Sequence, residues 1–231
     1  MNINDQLFNR ANYPSVSGET ADVAMMVGAA LVNAGALPVG MPNYNVRKHT
    51  LYHFLPIAAA LSYTFFNAVA APGVTNMKQA GQLQTENVFW CTKLGFKSTY
   101  DSTTNDVITV AQLEGIRQVI DNPDVNFKVG DRTVVDQIRG LFNFPAGGGL
   151  DTGVGVTTAS AAGAPCVAGP VNNGVAHMSN KGDFVPFAIL PQKNISVSLN
   201  YPAAVNAKLA GFTNFGIIAQ LEGILISPSN F

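Results

Sequence analysis

Residues 214–231 read NFGIIAQLEGILISPSNF, and this run decides the architecture. Apolar residues occupy both alternating faces up to Pro228, the pattern of a strand buried in the middle of a two-layer β structure. A related phrase, VAQLEGIRQVI, occupies residues 110–120, with Gln112 in the place of Gln220. The echo fits two stacked copies of one domain, and it also fits a coincidence in which the earlier copy is a helix.

Working back from that strand, the C-terminal third keeps a β character. FVPFAIL at 184–190 and ISVSLNY at 195–201 flank a Pro191-Gln192-Lys193-Asn194 break. In the second, Ile195, Val197, Leu199 and Tyr201 alternate with Ser196, Ser198 and Asn200, which predicts a half-buried antiparallel strand. Upstream, KHTLYHFLP at 48–56 puts His49, Leu51, His53 and Leu55 on one face of a strand and Thr50, Tyr52 and Phe54 on the other. LSYTFF follows at 61–66, and the breaker-rich link AAPGVTNMKQAGQLQ at 70–84 predicts a surface loop. VFWCTKLGF at 88–96 reads as a strand with Val88, Trp90, Thr92, Leu94 and Phe96 on one face.

Between 107 and 144 the period changes. Val110, Leu113, Ile116 and Ile120 recur at helical spacing before the stop Asp121-Asn122-Pro123, which predicts a short helix. VNFKV at 125–129 returns to alternation. Val134, Val135, Ile138, Leu141 and Phe142 fit a second helix ending before Pro145, and they fit a paired strand equally well. Residues 146–174 are a long run of Gly, Ala and small polar residues with β-branched islands, a composition expected of an interfacial or functional loop.

Composition narrows the function. The 231 residues carry only 12% charged side chains, 47% hydrophobic ones and a net charge of -1, so there is no basic field for nucleic acid. Globular domains usually carry about 25% charged residues, and a surface so poor in charge implies covering by other subunits. Cys91 and Cys166 are too few for a disulfide framework or a structural zinc site, and buried thiols are expected. The start MNINDQLFNR lacks a basic stretch followed by an apolar core, so synthesis in a cytoplasm is expected. Residues 1–20 read as an arm. Residues 21–39, ADVAMMVGAALVNAGALPV, approach the roughly 20 residues of a bilayer span. Asn33, the small residues and Pro38 favour packing in a core or at a subunit contact over a span, with contact to a membrane surface as a third reading.

Chemistry-bearing patterns are sparse. His49 and His53 have metalloprotease spacing, but no general-base glutamate stands between them, and His177 is the one distant candidate to complete a zinc site. Gly147, Gly148 and Gly149 lack the Lys-Ser or Lys-Thr of a phosphate loop. Ser160 and Ser179 lack a nucleophile elbow. Asp121 and Asp124 flank Pro123 and suit turn roles. Glu114 and Glu222 sit in the repeated QLEG phrase and suit a structural hydrogen bond. The expectation is therefore a protein with no catalytic, cofactor-binding or metal site.

Several phrases occur in a telling order: LSYTFF at 61–66, TNMKQAGQL at 75–83, VFWCTKLGF at 88–96, NFKVGDR at 126–132, FPAGGGL at 144–150, LPQKNISVSL at 190–199 and QLEGILI at 220–226. That order resembles the jelly-roll capsid proteins of tailless, icosahedral, lipid-containing bacteriophages, including those infecting Flavobacterium. The resemblance implies a virion shell protein, most simply the major one. Its β-sandwiches would stand upright as capsomers, typically trimers, over an internal membrane, beside other capsid proteins such as a vertex protein. It implies no active-site residues.

The expected fold class is mainly β: a viral jelly-roll sandwich with one or two short helices, built either as a minimal double jelly roll or as one decorated single jelly roll. Residues 1–40 form the arm and apolar segment, and 41–231 the jelly-roll region, with a boundary near 121–126 if there are two barrels. The alternative function is a jelly-roll spike or carbohydrate-binding, receptor-binding module, against which stands a single tryptophan placed inside a strand. A cupin-like enzyme would need a His/Glu metal set that the sequence does not supply.

Overall fold

The computed structural model describes residues 44–57, 60–99, 118–144, 156–159, 165–168, 183–202 and 215–228. These form ten strands: β1 (Tyr44–Pro56), β2 (Ser62–Phe65), β3 (Val88–Thr99), β4 (Asp124–Val129), β5 (Arg132–Arg139), β6 (Val156–Ala159), β7 (Pro165–Ala168), β8 (Asp183–Ile189), β9 (Ile195–Asn200) and β10 (Gly216–Pro228). Eight of them make two four-stranded antiparallel sheets, ordered β1-β10-β3-β8 and β2-β9-β4-β5, while β6 and β7 pair with each other. The pairing is nested: β1 lies beside β10, β2 beside β9, β3 beside β8 and β4 beside β5.

The sheets share one core. Phe65 of β2 meets Phe96 of β3 edge to face at 6.1 Å, and Phe96 meets Phe144 in the same way. Phe127 of β4 and Phe187 of β8 close the other side at 6.0 Å. Strands from before and after residues 121–126 therefore sit in the same two sheets and contribute to the same core.

β10 occupies the position its composition predicts, hydrogen-bonded between β1 and β3. Ile217, Ala219, Leu221 and Leu225 point into the core, while Ile224 and Ile226 are buried without belonging to that cluster. β9 alternates as expected, with Ile195, Val197 and Leu199 buried and lying between β2 and β4.

Two expectations change and one open alternative is decided. β3 does not keep one face, because the β10 register shifts opposite Thr92: Glu222 pairs with Lys93 and Gly223 with Cys91. The extra residue flips the side chains, so Phe89 and Cys91 join the core before Thr92 and Leu94 and Phe96 join it after. Residues 132–139 are strand and not helix, joined to β4 by a two-residue turn at Gly130 and Asp131, with Gly130 at φ +57°. Among the described residues, helical structure is limited to residues 118–121 and the 3-10 turn Leu141–Asn143. The link after β2 is not a plain surface loop, since Thr75, Met77 and Leu83 are buried.

Candidate functional site

β1 is an edge strand, and an uncovered edge offers free N–H and C=O groups to any other strand. Residues 71–76 cover part of it. Ala71 and Thr75 close a tight turn, after which Phe54 N–H donates to Val74 O at 2.7 Å. The Asn76 amide acts as a substitute peptide: it accepts from Tyr52 N–H at 2.9 Å and donates to Thr50 O at 2.7 Å. Thr75 Oγ1 donates to Tyr52 O and accepts from Met77 N–H.

Under this cover lies His53, only 1% exposed. Its Nδ1 accepts a short hydrogen bond from Phe66 N–H, which ties β1 in one sheet to the end of β2 in the other. The rings of Phe65 and Phe66 pack at 6.0 and 6.2 Å from the imidazole. Burial lowers the basicity of His53 below the ordinary histidine range. An accepting Nδ1 requires the neutral ring with its proton on Nε2. Phe66 holds a left-handed backbone at φ +66°, uncommon for an aromatic residue.

His49 shares that face of β1 and is half-buried; burial first, then the Arg47 guanidinium, lowers its basicity. Four residues of extended strand separate the two imidazoles by about 13 Å, too far to share one metal ion. Among the described residues no three His, Cys, Asp or Glu side chains come together in a metal-binding group.

At the sandwich end carrying Arg47, the segment after the cover borders a polar groove of about 500 Å³. Arg47 and Lys78 line it with Gln79, Gln84, Glu86 and Asn87, and β10 adds Leu225 and Ser227. The segment is anchored from behind, because Ile195 N–H donates to Gly81 O at 2.6 Å and Gln82 Nε2 donates to Asn194 Oδ1. Sequence reading found the loop and missed the groove, whose Arg47, Leu225 and Ser227 come from distant strands.

The other singled-out residues have structural surroundings. Glu222 lies opposite Lys93 of β3, a cross-strand pair of opposite charge, and its carbonyl accepts from Thr92 Oγ1. Asp124 lies opposite Arg139 in the β4–β5 hairpin. Asp121 is the exposed last residue of the helical turn, and the adjacent Asn122 accepts from the Arg139 guanidinium. Cys91 is a buried free thiol, its pKa pushed up by burial, while Cys166 lies in β7. Glu114, Gly147, Gly148, Gly149, Ser160, His177, Ser179 and the segments 1–40 and 21–39 lie outside the described residues. Among the described residues no helix is long and apolar enough to cross a membrane.

Comparison with known proteins finds no matching family model and no matching curated protein.

Proposed function

We propose that this chain is a structural capsid protein, a single jelly roll that assembles with copies of itself into the icosahedral shell of a bacteriophage. The observation that carries the reading is the nested strand order. A jelly roll forms when a long antiparallel ribbon, its first strand paired with its last and its second with its next to last, is rolled into two facing sheets. The eight sheet strands here pair in that way. Eight strands with one core favour one barrel over two, so the QLEG echo reads as coincidence.

Fold alone does not assign function, since lectins and cupins share this architecture. The shell reading draws on the low charge of the chain and on the ordered phrases that resemble phage capsid proteins. It draws also on the side wall formed by the edge strands β5 and β8. Arg132 of β5 stacks over the Phe187 ring of β8 at 5.3 Å and joins the two sheets there. On the same strands Val185 is 84% exposed and Ile138 is 42% exposed. Apolar side chains offered on an edge gain about 25 cal/mol for each Å² that a neighbour covers. In this reading β5 and β8 face the neighbouring subunits of a trimeric capsomer, and the protein resides in the virion, its major shell component, over an internal membrane and beside a vertex protein.

The groove beside Arg47 supports the second reading, a carbohydrate-binding spike module, because amide and charged side chains are the groups that hydrogen-bond sugar hydroxyls. Light scattering of the purified chain across a concentration series tests the two. Trimers or particles support the shell protein, whereas a persistent monomer that binds a glycan array supports the spike.

A further inference from the structure

We propose that His53 is an acid-operated latch: protonation of Nδ1 breaks its bond to Phe66 N–H and lets residues 66–76 leave the edge of β1, baring the backbone of Thr50, Tyr52 and Phe54 to a second strand. The device does not depend on the shell reading. It follows from three placements. The imidazole is buried and accepts a proton-donating N–H, so the cation would set two donors against each other. Phe66 occupies the left-handed region, which costs about 1 kcal/mol for a residue with a Cβ, and loss of its bond to His53 would leave its N–H without that partner. The chain runs from Phe66 straight into the cover, whose bridge sets Thr75 opposite His53 itself.

Among the described residues, the groups given beside His53 offer the cation no compensating charge. Beside His53 stand Ala219 of β10, Thr75 of the cover, Phe65 of β2 and Phe66 just after it, none of which ionises in this range. On its own strand the titratable or charged residues of that face are His49 and Arg47, neither of which carries a negative charge.

The test is amide hydrogen exchange on the full chain at about pH 7.5 and about pH 5, spanning the histidine range, with rates corrected for intrinsic chemistry. In the wild type, Tyr52 and Phe54, whose N–H groups donate to the cover, lose at least roughly tenfold protection at the lower pH, the ratio that one pKa unit represents. Val197 in the interior of β9 keeps its protection. His53→Asn retains an acceptor near the Nδ1 position but does not titrate, so its edge amides stay protected at both pH values; His49→Gln responds like the wild type. Unchanged Tyr52 and Phe54 protection in the wild type would overturn the latch. So would a His53→Asn response equal to that of the wild type, or loss of the response in His49→Gln.

Discussion

Thr92 and Glu222 meet across the bulge in the middle of the larger strand pair, where Thr92 Oγ1 donates to the Glu222 carbonyl at 3.1 Å. The extra residue in β3 interrupts the regular register there, and the hydroxyl bonds to that carbonyl across the break. Replacing Thr92 by Val keeps the shape and β propensity while removing the donor. Chemical denaturation should show a loss of about 1 kcal/mol, the usual worth of one hydrogen bond; an unchanged midpoint would mean that the hydroxyl is dispensable.

Gly223, next to that bulge, leaves no room for a side chain. A Cβ there would lie 2.0 Å from the Trp90 carbonyl oxygen and 3.0 Å from the Phe89 ring. The first contact is with backbone and cannot be relieved by a rotamer change. Gly223→Ala should therefore destabilise the chain by about 3 kcal/mol, the upper end of ordinary overpacking, as read from a lowered thermal midpoint.

Protonation of the two histidines of β1 should make the chain acid-labile. Burial depresses the folded-state pKa of His53, and burial with Arg47 depresses that of His49. The unfolded chain thus binds more protons below about pH 6.5, so stability is full above that value and falls as pH drops through the depressed folded-state values. Thermal midpoints measured from neutral to mildly acid pH should decline, and His53→Asn should flatten part of the slope.

Cys91 should resist modification while the protein is folded. Its thiol is completely buried and burial raises its pKa, so little thiolate forms and reagents have no access. In a Cys166→Ser background, thiol titration at mildly alkaline pH should find almost no reaction until denaturant is added. Rapid labelling of the native chain would contradict the packing of β3.

Asp in place of Val185 or Ile138 should separate assembly from folding. Both side chains are exposed on the wall formed by β5 and β8, so the monomer should lose less than about 0.5 kcal/mol, as surface changes usually do. Circular dichroism should be unchanged while light scattering shifts to smaller species.

The strands most legible in the sequence were those whose patterns depend on local burial alone. β10 is apolar on both faces because it is central, and β9 alternates because one face meets the core. What stayed hidden depends on partners far along the chain. One residue, Thr92, reverses which side of β3 is inside, and a regular alternation cannot announce an insertion set by β10. Arg132–Arg139 carries apolar residues at spacings that suit either period, and its hairpin with β4 decided for strand. The polar composition of residues 70–84 gave no sign that Asn76 and Thr75 dock on β1. For the candidate site, the sequence placed His49 and His53 on one strand face. It could not reveal that His53 serves Phe66, because that bond crosses between the sheets.

The central claim is that this sandwich builds a shell. Electron microscopy of the purified, concentrated chain tests it most directly: the shell reading predicts trimeric units and closed or partly closed particles with a hexagonal lattice. A field of dispersed monomers that persists as concentration rises would contradict it.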